Sequence, residues 1–169
     1  MPTRIAASTA AAETGARMES AAGTGHLIRA AVESDVATLA SLATELGYPA
    51  DAQEMRERLA RVSAEGAGIV LVAAAGPHSA AVGWTHVVER LNLEEPPFAE
   101  LAGLIVAEGA RSLGIGAALL RAAEQWALER GLTRLRVRSN VLRERAHGFY
   151  RRSGYVERKR QVVFDKPLG

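Results

Sequence analysis

Leu104-Ile105-Val106, a loop, then Arg111-Ser112-Leu113-Gly114-Ile115-Gly116-Ala117 is the stretch from which the fold can be read. From Ile115 onward, Ala118, Leu119, Ala122, Ala123, Trp126 and Ala127 recur at helical spacing. That predicts a helix over 115–130 with one buried stripe, and Gly131 supplies its stop. Residues 99–106 read as a strand, apolar enough along their length to be buried on both faces. Two glycines at the start of the helix let the backbone come close to a ligand, where a Cβ would collide. The first-turn N–H groups have no partner within the helix and lie at its positive dipole end. Such a geometry binds phosphate or pyrophosphate. The same glycines also suit a tight strand-to-helix turn with no ligand.

Working outward, 26–31 is a short strand candidate. Val36, Leu39, Ala40, Ala43 and Leu46 then recur at helical spacing after a Ser34-Asp35 cap, and Gly47 ends the run. Asp51 and Glu54 form a capping-box pattern ahead of a second helix that turns Met55, Leu59 and Val62 inward. The β-rich runs 68–75 and 81–89 are joined by Gly76-Pro77-His78-Ser79, which reads as a hairpin. Residues 91–97 form an acidic, proline-bearing loop. Leu135 and Val137 alternate with Arg134, Arg136 and Arg138, the pattern of a half-buried strand. A last helix over 144–153 groups Ala146, Phe149 and Tyr150 and closes at Gly154, and 155–166 is expected to return as one or two terminal strands. The order β-α-α-β-β-β-α-β-α-β predicts an α/β fold of the mixed α+β kind. Its single domain has a central mixed, mostly antiparallel sheet flanked by about four helices. Residues 1–25 carry almost no large apolar side chain, so they are expected to be a disordered tail ahead of a folded domain over 26–169.

The 169 residues suit one domain, and no apolar run reaches the roughly 18 residues of a membrane span. Cysteine is absent, which excludes a disulfide framework, a thiolate metal site and an acyl-cysteine intermediate, and fits a cytoplasmic setting. Charge is uneven: 130–160 holds eleven basic side chains and two acids, a net +9 within a chain of net +2. A basic half suits a polyanionic ligand, a nucleotide or a nucleic acid, and also follows from arginine-rich composition alone.

Arg111-x-x-Gly114-x-Gly116-Ala117 after Leu104-Ile105-Val106, with Phe149-Tyr150 and Gly154-Tyr155 downstream, resembles the acyl-CoA signature and closing motif of the GNAT superfamily of N-acyltransferases. The resemblance extends over about residues 26–168, including Leu46-Gly47-Tyr48. It implies an N-acetyltransferase moving an acetyl group from acetyl-CoA, as cosubstrate and without metal, to a primary amine in a ternary complex. By the same resemblance, the backbone of Leu104, Ile105 and Val106 would pair with the pantetheine arm. Ser112, Leu113, Gly114, Ile115, Gly116 and Ala117 would hold the pyrophosphate through their N–H groups, and Arg111 would add charge nearby. Gly103 is a natural place for a bulge that splays the strand.

Two residues are candidates for catalysis. Tyr150 is the general acid that meets the departing thiolate, although its spacing also fits a core tyrosine. Glu100 is the general base, eleven positions before Arg111, the spacing that the histone-acetylating branch uses for its carboxylate; an ordinary strand-end glutamate is the alternative. His86 and Glu89 are weaker candidates. Many members place an asparagine seven residues before the tyrosine; here that position is Arg143, and Asn140 stands in only if the loop is shaped differently. The partner expected is a small-molecule or peptide amine, with a homodimer open and no membrane. An acyl-CoA-binding protein without catalysis is one rival. A nucleic-acid module using Arg134, Arg136 and Arg138 is another, disfavoured because aromatic residues do not interleave on that strand.

Overall fold

Local hydrogen bonding sets the helix ends in the computed structural model, which describes residues 19–21 and 25–169. Helix α1 (Val36–Leu46) stops at Gly47, which adopts the left-handed conformation at φ 95° and directs its N–H to the Ala43 and Thr44 carbonyls. Helix α2 (Ala52–Glu65) starts in the expected capping box. Asp51 accepts from the Glu54 N–H at 2.8 Å, and the Glu54 carboxylate accepts from the Asp51 N–H at 3.2 Å. Helices α3 (Ile115–Glu129) and α4 (Glu144–Arg152) complete the set.

The strands are β1 (Glu19–Ala21), β2 (His26–Ala30), β3 (Gly68–Ala74), β4 (Ala81–Arg90), β5 (Phe98–Val106) and β6 (Leu135–Val137), and they lie side by side in that order. All neighbours run antiparallel except β5 and β6, which are parallel and therefore need the crossover that α3 provides. The mixed, mostly antiparallel sheet expected from the sequence is the one observed. Alternation along the strands sends apolar residues to both faces. On the back, Val87, Ala99 and Leu101 meet Leu120, Ala123 and Ala127 of α3, while Leu71 and Ala73 meet Ile115, Ala118 and Leu119. On the front, Val72, Ala81 and Trp84 meet Val36 and Leu39 of α1 and Leu59 of α2.

The bulge falls where it was expected. His86 pairs with Gly103 but Val87 pairs with Leu101, so Ala102 is the extra residue. Glycine is required at 103 by packing, because a Cβ there would stand 2.7 Å from the Trp84 ring.

Three features depart from the sequence reading. Asp35 does not simply cap α1. It ends a short 3-10 turn (Glu33–Asp35), is 3% exposed, and holds Arg29 through two hydrogen bonds of 2.6 and 2.9 Å while accepting from the Val32 N–H. Residues 155–166 form no strand. Val162, Val163 and Phe164 are exposed, because no described strand offers them a ladder and an isolated strand cannot bury an apolar face. Within the expected tail, Glu19, Ser20 and Ala21 pair with Ile28, Leu27 and His26, since backbone ladder bonds need no large side chain. The rest of 1–24 lies outside the described residues.

That pairing changes what truncation should do. A chain starting at Glu19 is expected to keep the melting temperature of the full chain. One starting at Gly25 should lose about 1 kcal/mol, a few degrees for a domain of this size, by baring the edge of β2. Equal melting temperatures for all three chains would show that β1 contributes nothing.

Candidate active site

The site is a slot opened by the sheet itself. β5 and β6 pair at Ala99 with Leu135, Glu100 with Arg136 and Leu101 with Val137, and there the ladder ends. β5 continues to Val106, so from Gly103 onward its outer edge has no strand beside it among the described residues. An extended ligand bearing amide groups can add to that edge as a further strand.

At the far end of the slot stands the N-terminus of α3. Ser112 and Gly114 both take the left-handed conformation, at φ 67° and 78°, and turn the chain so that the first-turn N–H groups face outward. The first helical hydrogen bond runs from the Ala118 N–H to Gly114, leaving the N–H groups of Ile115, Gly116 and Ala117 for a ligand, and no acid occupies that turn. A Cβ on Gly116 would meet Phe149 and Val106 at 3.7 Å, an ordinary contact. Packing therefore does not demand glycine at 116. Arg111 is partly engaged: its Nε donates to the Val106 carbonyl at 3.1 Å, and its Nη2 lies 3.8 Å from Glu45 on α1.

Helix α4 brings aromatic rings against the cluster behind the sheet, with Phe149 beside Gly116. Phe149 and Tyr150 meet edge to face at 5.2 Å, and Tyr155 follows at 5.8 Å from Tyr150. Gly154, left-handed at φ 88°, turns the chain so that the Tyr155 N–H reaches the Tyr150 carbonyl and its hydroxyl donates to Glu124 of α3 at 2.8 Å. Tyr155 thus buttresses Tyr150. Burial pushes the Tyr150 phenol up to about 12, with Arg143 opposing in part, so it holds its proton at neutral pH. Its hydroxyl has no partner among the described residues and is free to donate.

Glu100 lies on the front face beside the last rung of the β5–β6 ladder and is 6% exposed. Its Oε1 accepts from Arg90 at 2.9 and 3.2 Å. Its Oε2 is 2.9 Å from Arg138 Nε, within ion-pair range but without an aligned hydrogen bond, so a buried oxygen keeps accepting capacity. His86, two residues from Trp84 on the same face, has a buried Nε2 with no partner; burial, aided by Arg90, holds it below the usual histidine range and hence neutral. Glu89 points elsewhere and pairs with Arg130 at the end of α3. Asn140 uses its Oδ1 to accept from the Leu142 N–H, forming the turn into α4. Arg143 was missed as a structural tie: its guanidinium donates to the Leu46 carbonyl at 2.7 Å, clamping α4's approach to the end of α1.

Residues 26–155 match the Acetyltransferase (GNAT) family. The chain belongs to that family. An aminoglycoside N(6')-acetyltransferase type 1 of Stenotrophomonas maltophilia is 33% identical over 145 residues, covering 83% of this chain and 93% of that protein. The fold matches an aminoglycoside 6'-N-acetyltransferase from Acinetobacter baumannii with a TM-score of 0.74 at 21% identity, over 85% of this chain and 99% of the other. It also matches a 6'-acetyltransferase solved with a CoA-containing bisubstrate analogue, TM-score 0.74 at 15% identity, over 85% and 99% of the two chains.

As a GNAT protein the chain is an N-acetyltransferase. The slot edge and the glycine turn adjoin along β5 and α3, Glu100 stands on the front face at the ladder's last rung, Tyr150 packs against the cluster behind the sheet, and Glu89 pairs with Arg130. Asn140 has its carbonyl oxygen engaged in the turn. Among the described residues no group of His, Asp and Glu could hold a metal, and no helix is long and apolar enough to cross a membrane.

Proposed function

We propose that this chain transfers an acetyl group from acetyl-CoA to the primary amine of a small molecule by direct attack within a ternary complex. The observation that carries the reading is the unpaired β5 edge running from the ladder's last rung to the free N–H groups of α3. Acetyl-CoA supplies the acyl group as a thioester. The backbone of Leu104, Ile105 and Val106 holds the pantetheine arm, and the N–H groups of 112–117 hold the pyrophosphate with Arg111 beside them. Glu100 Oε2 accepts the proton of the incoming ammonium, directly or through one water. Tyr150 donates its phenolic proton to the departing sulfur, and the second proton that the nitrogen sheds on becoming an amide restores the phenol. Much of the rate comes from fixing the amine against the thioester. The relatives' names, aminoglycoside N(6')-acetyltransferases, support a small amine as acceptor.

Binding is tested apart from turnover. Acetyl-CoA is expected to raise the melting temperature by mass action, by about 2.7 kcal/mol in stability at 100 times Kd. Gly116→Asp should abolish the rise, by putting bulk and negative charge where phosphate must lie, with no loss of fold because space exists at the Cβ. Thiol release across an amine panel then tests transfer. No shift with acetyl-CoA, and loop variants behaving as wild type, would overturn the reading.

A further inference from the structure

The slot is closed behind and open in front, and the front is cationic. At its apex, Leu101 and Val137 turn back into the core with Leu120, Ala123 and Ala127. A second substrate therefore reaches the apex only from the front face. Helices α1 and α2 cover that face as far as Gly103, where Leu46 lies 4.0 Å from the position of a Cβ. Beyond Gly103, among the described residues, Glu100 on that face meets Arg90 and Arg138. Leu135 and Val137 point to the back, so Arg134, Arg136 and Arg138 point to the front.

Two carboxylates each carry two guanidiniums there, the half-buried Glu95 and the buried Glu100. Glu95 holds Arg134 at 2.8 Å and Arg136 at 2.7 Å; Glu100 holds Arg90 and Arg138, each at 2.9 Å. Four cations over two anions give this surface a net charge of +2. Glu94, exposed, is the other acid of the adjoining loop. The two pairs differ in what they have left to offer. Arg134 and Arg136 stack on the buried Phe98 ring at 4.8 and 4.1 Å and fasten the 91–97 loop. Arg90 and Arg138 form ion pairs with Glu100 alone among the described residues, and their side chains are 49% and 61% exposed against 8% for the carboxylate. The carboxylate lies beneath, and unused guanidinium donors face the approach to the apex.

We propose that the acceptor is an amine whose own molecule carries an anionic group, a carboxylate or a phosphate, which Arg90 and Arg138 bind while the amine meets Glu100 Oε2. The proposal rests on the slot being the acyl-donor site. A guanidinium matches either anion with charge-assisted, bidentate hydrogen bonds. The same field opposes a polycation: every ammonium except the reacting one is brought toward like charge. An aminoglycoside is such a polycation, so this chain parts from its named relatives in acceptor charge.

The test compares matched amines by thiol release from acetyl-CoA. Phenylalanine is set against phenylalaninamide, and glucosamine 6-phosphate against glucosamine, with a polycationic aminoglycoside alongside. At least one anionic partner is expected to exceed its neutral counterpart by about 10-fold or more in kcat/KM, and the pair that responds tells carboxylate from phosphate. Arg138→Gln and Arg90→Gln should shrink that ratio, and Arg138→Lys should keep most of it. Because a ratio is read, a uniform loss of rate from disturbing Glu100 cancels. Neutral amines or the aminoglycoside turning over faster than both anionic amines would overturn this inference while leaving acetyl transfer intact. Turnover of no amine, by a protein that acetyl-CoA still stabilises, would overturn acetyl transfer and this inference with it.

Discussion

Tyr150→Phe is expected to lower kcat about 100-fold, at the lower end of what general acid catalysis contributes, with little change in acetyl-CoA affinity or stability. The ring contacts to Phe149 and Tyr155 survive the substitution. The hydroxyl has no partner among the described residues, so its removal strands no buried group. In the proposed role its interaction with the departing sulfur would develop in the transition state, so its loss should fall on kcat rather than on binding. With the phenol at about 12, the wild-type enzyme should show no alkaline loss from Tyr150 below roughly pH 11. Glu100→Gln should behave differently: its deficit shrinks as pH rises and free amine becomes abundant. Steady-state kinetics with isothermal titration of acetyl-CoA separates these outcomes. Wild-type kcat in Tyr150→Phe would make the tyrosine a packing residue.

Asp35→Asn is expected to destabilise the fold by about 3–5 kcal/mol, the range for breaking a buried ion pair and leaving its partner charge uncompensated. Arg29 is 7% exposed and, without Asp35, retains only carbonyl partners, that of Ala30 at 3.1 Å and that of Ser79 at 3.5 Å. Burial opposes ionisation of Asp35, but the hydrogen bonds from Arg29 and the Val32 N–H outweigh it and hold the carboxyl below its ordinary value. Since the folded value lies below the unfolded one, the stabilisation is present above the ordinary carboxylate range. It is lost as pH falls through the folded value. Urea denaturation at pH 7 and at pH 3 should therefore show a smaller gap between wild type and variant in acid. Replacing both residues with apolar ones, Arg29→Met with Asp35→Leu, should recover most of the loss. A single-variant cost below 1 kcal/mol would mean that the pair is solvated in solution.

What the sequence determined by itself is what short-range chemistry encodes. The capping box at Asp51, the left-handed stop at Gly47 and the turn through Gly114 depend on residues within a few positions of one another. The stripe from Ile115 to Ala127 fixed which side of α3 is buried, and the slot beside β5 was legible because its strand, turn and helix are contiguous in the chain. Partners distant in sequence were not legible. Periodicity says that Arg134, Arg136 and Arg138 share a face, but only the parallel register of β6 on β5 brings Arg138 to Glu100. Arg29 with Asp35 and Tyr155 with Glu124 pair through packing of separate elements, and no local propensity announces them. The 155–166 segment shows the limit most plainly: β-branched and aromatic residues make a strand only where a neighbouring backbone offers its hydrogen bonds. Tertiary structure decided, too, that guanidiniums stand exposed on the open face, because Glu100 is folded beneath Arg90 and Arg138.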